Sequence, residues 1–213
     1  MDEHLTWVYE QKCRKVVKAL EKTGFEAVYC ANRQEAYANI MNEARNAHAI
    51  GFGGSETVKG LQLIPALKQM GKEVLDHQAP NLSPEEKLAT RRRQLTCDLF
   101  LTSSNAVTLN GQLVNVDGVG NRVAAMAFGP KKVIVVAGRN KIAEDIDAAL
   151  QRIKYVAAPA NSRRLNRQVP CAVTGSCSEC NSPERLCRIT VILDHKPLDT
   201  DIRVLIVNDD IGY

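Results

Sequence analysis

Apolar residues recur at helical spacing over residues 2–23, at Leu5, Val8, Val16, Val17 and Leu20, and Gly24 closes the run. Phe25–Cys30 then reads as a strand, 33–46 as a helix and 48–52 as a short buried strand. Ser55 predicts the cap of a helix whose apolar positions continue through Leu61, Ile64 and Leu67 to Met70, with Gly71 as its stop. Residues 72–76 form another short strand, and Ser83-Pro84-Glu85-Glu86 opens a further helix with Ser83 as cap and Pro84 in the first turn. Such strand and helix alternation marks an α/β fold with a mostly parallel sheet sandwiched by helices.

The middle breaks the alternation. After the strand Asp98–Thr102 come two short alternating runs, AVTL and QLVNVD, around Asn110-Gly111. Asn-Gly between such runs predicts a β-hairpin. Residues 120–128 then read as helix, Lys132–Ala137 as a central strand and 141–157 as helix. Beyond Pro159 the chain turns to Asn, Ser, Arg and Cys, a loop of some 25 residues. A loop that long needs something to hold it. RITVILDH and DIRVLIVND close the chain as two strands joined through Pro197. With no repeat and no clean linker, residues 1–213 are expected to form one domain, with a Cys-rich metal loop at about 160–187 inserted before the last two strands.

Composition narrows the function classes. Of the 213 residues 45% are hydrophobic and 24% charged, which excludes a disordered or fibrous chain. No apolar run approaches the roughly 20 residues of a membrane span, and the acidic start MDEHL lacks a leader's apolar core, so a cytoplasmic protein is expected. Net charge is +4, concentrated only at Arg91-Arg92-Arg93 and Arg163-Arg164, and aromatics are 5%, which argues against nucleic acid as a partner.

Four of the seven cysteines, Cys171, Cys177, Cys180 and Cys187, fall in one Cys-x5-Cys-x2-Cys-x6-Cys stretch. Without an oxidising compartment such a group reads as a metal site before a disulfide framework. Four soft thiolates suit either a 4Fe-4S cluster or a tetrahedral zinc, and the spacing leaves both open. Free thiols on a flexible loop are the bland reading. Cys97, before a buried strand, reads as a small core residue.

Gly51-Phe52-Gly53-Gly54-Ser55-Glu56-Thr57, between a strand and a helix, can bring backbone N–H groups to an anion, aided by the helix dipole. It carries no Walker lysine and no G-x-G-x-x-G spacing. Past the hairpin, Asn115-Val116-Asp117-Gly118-Val119-Gly120-Asn121-Arg122 sets polar groups among glycines. Asp117 is a candidate base, and Arg122 a candidate fork for a carboxylate or phosphate. Thr102-Ser103-Ser104-Asn105 ends a strand, where ligands of open α/β sheets bind. The candidate ligand-binding set is Gly53, Gly54, Ser55, Thr57, Ser104, Asn105, Asp117, Asn121 and Arg122. Of the histidines, His77 is the best placed for a site, while His4 and His195 read as surface.

Together the 51–57 turn, the 102–117 hairpin and Gly118–Val123 resemble the lactate-utilisation (LUD) domain family over roughly residues 5–155. The Cys loop and two closing strands look like those of its short bacterial members. The resemblance implies a NagB/RpiA/CoA-transferase-like fold, whose relatives bind phosphosugars, acyl-CoA or folates near the strand ends. It puts Gly53-Gly54-Ser55 in the place of their anion loop. Some members serve in converting L-lactate to pyruvate with iron–sulfur partner subunits. Longer members carry a two-cluster ferredoxin segment; this chain has a single four-Cys group, so a lone cluster would need iron–sulfur or flavin redox partners. No CoA-transferase catalytic signature occurs.

The leading expectation is an accessory or redox subunit of lactate or organic-acid utilisation, an oxidoreductase component that binds a small anionic metabolite. The alternatives are an isomerase, transferase or ligase with a structural zinc, and a redox- or iron-sensing regulator. Homodimerisation is expected, as for most soluble oligomers.

Overall fold

Two runs of branched residues build the centre of the molecule. The computed structural model describes residues 2–213. Its strands are β1 (Glu26–Cys30), β2 (Ala49–Phe52), β3 (Glu73–Asp76), β4 (Leu99–Thr102), β5 (Ala106–Thr108), β6 (Leu113–Asp117), β7 (Lys132–Gly138), β8 (Ile142–Ala143), β9 (Ile189–Leu193) and β10 (Asp201–Val207). Six of them form a parallel sheet in the order β1-β10-β7-β4-β2-β3. Alternate side chains of β7 and β10 feed opposite faces. Val133, Val135, Ala137, Ile202, Val204 and Ile206 pack with Cys13, Val16 and Leu20 of the helix Glu3–Lys22. Ile134, Val136, Leu205 and Val207 pack with Ala36, Ile40 and Ala44 of the helix Arg33–Ala44. Both faces are covered, which is why these strands read as unbroken apolar runs.

The hairpin forms as expected: β5 and β6 pair antiparallel, with Gly111 at φ +81° in the turn. A second sheet, β8-β5-β6-β9, is built around it. The two closing strands therefore part company. β9 joins β6 in the hairpin sheet, and β10 threads between β1 and β7.

Three other expectations are corrected. The helix drawn from Ser55 to Met70 is two, Glu56–Lys59 and Leu63–Gln69, with Gln62 left-handed at φ 52° between them. Pro65 has no N–H to give to Leu61, a loss tolerated only in a first turn, so the second helix starts at Leu63. The helix drawn from 141 instead begins at Ile146 with Asp145 as cap; Arg139–Lys141 is a 3-10 turn and β8 follows it. The long loop beyond Pro159 is partly helical, through Ala158–Arg164 and Cys171–Thr174. Among the described residues no helix is long and apolar enough to cross a membrane.

Candidate functional site

Parallel strands leave their carboxyl ends at one edge, and a large cavity opens there. It measures about 610 Å³. The turn after β2 contributes Gly53, Gly54, Ser55 and Thr57, and the end of β3 contributes His77. Ser103, Ser104 and Asn105 follow β4, and Lys141 follows β7. The end of β6 adds Asp117, with Asn121 and Arg122 behind it. All nine residues of the expected ligand-binding set thus line one cavity.

The glycine turn is dictated by space. A Cβ on Gly53 would lie 2.8 Å from Thr102 Oγ1, and Gly54 adopts φ +74° against the His77 and Gln78 side chains. Ser55 Oγ accepts from the Val58 N–H, as a cap should. The helix it caps is one turn long, so the dipole expected to favour an anion there is small.

Arg122 is used differently from the expectation. Its Nε donates to Asp117 Oδ2 at 3.2 Å, Nη1 to Ser103 O at 3.0 Å and Asn115 Oδ1 at 2.6 Å, and Nη2 to Asn105 Oδ1 at 3.0 Å and Val116 O at 2.9 Å. All five N–H donors are taken by the protein. Asp117 Oδ1 in turn accepts from the N–H groups of Val119 and Gly120. Asp117 and Arg122 therefore brace the wall between the hairpin and the β4 end, rather than presenting a free fork and a free base. Ser104 donates to Ala106 O at 2.7 Å. Among these polar residues Asn121 alone makes no side-chain hydrogen bond among the described residues, while lining the cavity.

Lys141 is the residue that sequence reading missed. It is 3% exposed, and its Nζ donates to Thr57 Oγ1 at 2.7 Å, Ser103 Oγ at 2.9 Å and Ser104 O at 3.4 Å. None of these is a carboxylate. Burial, reinforced by the charges of Arg152 and Arg122, pulls it from 10.5 down to about 7. A signal existed: Asp145 is a good cap, and starting the helix there leaves Lys141 at a strand–helix junction. The sign of the resulting pH effect is fixed. Between about pH 7 and 10.5 the unfolded chain holds more protons at Lys141, so stability rises with pH through that window, and the penalty is fully present below it. Lys141→Met should erase this slope and stabilise the protein below pH 7 by a few kcal/mol, on the order of 1.4 per pKa unit. Urea unfolding at pH 6 and pH 9 checks it; parallel curves for variant and parent would refute it.

The cavity as a whole is basic. Lys87, Arg91, Arg122, Lys141, Arg164 and Arg167 line it, against Glu56 and Asp117. Both acids are occupied: Asp117 by Arg122, Glu56 by Arg164 Nη1 at 3.1 Å. Arg91 and Arg164 come from the two basic spots visible in the sequence. His77 is buried, which together with Arg91 holds it below the usual imidazole range and neutral at pH 7.

A smaller cavity of about 30 Å³ lies beside the first, lined by Cys171, Cys177, Cys180 and Cys187. The two share Ala158, Leu186 and Cys187 as a common wall. Burial raises the Cys187 thiol, and the other three cysteines add to the rise. The Glu179 N–H donates to Cys177 Sγ at 3.4 Å, within the Cys-x2-Cys bite. Four thiols lining one cavity beside a backbone N–H are the donor type that a thiophilic centre uses. As placed, however, no group of three or more His, Cys, Asp or Glu side chains among the described residues is arranged to hold an ion. Cys13, Cys30 and Cys97 are buried elsewhere.

The sequence profile of the LUD domain matches residues 13–207. The chain belongs to the LUD domain family. That family is associated in general with lactate utilisation. No curated protein matches the chain. Among solved structures, a DUF162 family protein from Deinococcus radiodurans superposes with a TM-score of 0.51 at 18% identity, covering 94% of this chain and 98% of that one. At that identity the likeness supports the α/β fold of this LUD-family chain and nothing finer.

Proposed function

We infer that this LUD-family chain is a cytoplasmic accessory or redox subunit of lactate-type organic-acid metabolism. Its large cavity binds a small anionic metabolite, and the four cysteines of the adjoining cavity hold one metal centre. The charge of the large cavity carries the reading: six basic side chains face two acids that are already paired. A carboxylate entering there meets the Gly53–Gly54 turn, Asn121 and the amine of Lys141, while Arg122 adds its charge from behind. Asp117 holds Arg122 and takes no part as a base.

Cys171, Cys177, Cys180 and Cys187 would hold the metal, a 4Fe-4S cluster before a zinc. Such a centre, when bound, supplies electron transfer if it is iron–sulfur and stiffness alone if it is zinc. The wall shared through Cys187 puts the two sites next to each other. Iron–sulfur or flavin subunits would then supply or take the electrons, with the chain itself a homo-oligomer. The buried Lys141 amine favours a second reading, an enzyme of the isomerase, transferase or ligase kind with a structural zinc.

Anaerobic purification separates the two. We expect a brown protein whose iron and sulfide rise together, and calorimetric binding of small carboxylates that weakens with added salt. A colourless protein holding zinc moves the assignment to the second reading. A protein free of both metals refutes the thiolate centre.

A further inference from the structure

We propose that Lys141 is a nucleophilic amine whose Nζ condenses with the carbonyl carbon of a small 2-oxo acid held in the large cavity. The inference rests on the reading of that cavity as an organic-acid site.

The geometry around Nζ is the argument. Lys141 is almost fully buried, yet it lies on the cavity wall. Its two nearest partners are hydroxyls, and each hydroxyl has a carbonyl for its own hydrogen. Thr57 Oγ1 donates to Ile211 O at 3.4 Å, and Ser103 Oγ donates to Ser104 O at 3.1 Å. Both oxygens therefore accept from Nζ, at 2.7 and 2.9 Å. These two bonds use both hydrogens of a neutral amine. Only the third proton of the ammonium form depends on the long 3.4 Å contact to Ser104 O. Losing it costs the weakest contact and frees the lone pair.

The charged groups facing the amine act in the same direction. They are Arg122 and Arg152, both cationic. Arg122 is bound on all sides, and Arg152 is tied to Asn140 O at 2.8 Å and Asn105 O at 2.7 Å. Neither can move aside, and the cavity's acids are both paired. A lysine that only bridged structural elements would gain from a carboxylate here. This one is kept without one, in a cavity whose other cations suit the acid's carboxylate. Such a desolvated amine beside fixed cations is the usual arrangement for a nucleophilic lysine.

The chemistry balances without an outside redox partner. The Nζ lone pair forms the new C–N bond, and the carbonyl π pair moves to oxygen, which takes the proton that the now positively charged nitrogen releases. Loss of one water from that adduct gives the imine. Nothing is oxidised or reduced.

The test uses the whole protein with pyruvate as the probe and sodium cyanoborohydride as the trap. Reduction of an imine leaves a stable amine, read by intact mass and located by peptide mapping. We expect one adduct per chain, on residue 141, with a yield that climbs as pH rises through about 7. Lys141→Arg should not trap pyruvate. If that variant fails to fold, the peptide map of the parent still locates the adduct. Pyruvate bound without an adduct at 141 overturns the amine and leaves the organic-acid site standing. Adducts spread over exposed lysines also overturn it. No heat and no adduct overturns both readings.

Discussion

Arg122→Ala should destabilise the protein by about 3–5 kcal/mol, the range for breaking a buried, hydrogen-bonded ion pair from one side. The side chains of Arg122 and Asp117 are 12% and 10% exposed. Removing the guanidinium strips Asp117 Oδ2, Asn105 Oδ1, Asn115 Oδ1 and the carbonyls of Ser103 and Val116 of a donor together. Asn105 Oδ1 keeps the Val116 N–H and Ser103 O the Thr102 hydroxyl, and the acceptors left without a donor carry their own desolvation penalty. Arg122→Lys should recover little, because a single ammonium cannot span the same acceptors. Urea unfolding with a fixed slope measures the loss. A variant within about 1 kcal/mol of its parent would show that the network is slack, and would return Arg122 to the role of a free anion fork.

Cys177→Ser and Cys180→Ser should each reduce bound metal from a full complement to nearly none. A hydroxyl is a poor substitute for a soft thiolate, and these two residues form the closest pair of the four in sequence. The segment 175–188 has no regular secondary structure of its own, so losing the centre should also open it to proteolysis while the six-stranded sheet survives. Cys30→Ala is the control. That thiol is buried under the sheet and raised to about 12 by burial. Elemental analysis decides, and metal retained in both serine variants would end the four-cysteine assignment.

The local parts of this fold were legible in the sequence; the long-range ones were not. Asn110-Gly111 encodes its hairpin within a few residues, and Ser83-Pro84 encodes a helix start whose Ser83 cap forms as read, with Glu86 completing a capping box. Six of the nine ligand residues converge because they follow β2 and β4, parallel strands that share one end; Asp117, Asn121 and Arg122 join them from the end of β6 in the hairpin sheet. What a residue does there depends on partners far along the chain. Arg122 looks like a free fork until Ser103 and Asn105 are seen to occupy it, 19 and 17 residues away. Lys141 meets Thr57 across 84 residues, and nothing near position 141 announces that contact. The two closing strands are neighbours in sequence and sit in different sheets. β9 pairs with β6, and β10 lies between β1 and β7.

The place of β10 also sets an order of events during synthesis. In the sheet β1 touches β10 alone, and β10 is what joins it to β7. Residues 26–30 leave the ribosome early and have no sheet partner until residues 201–207 follow. Meanwhile β2, β3, β4 and β7 can assemble, because their neighbours are already present. Until β10 arrives, the first helix has β1 beside it but lacks the cover that Ile202, Val204 and Ile206 give to its apolar face. That interval is when a holding chaperone would matter most to this protein.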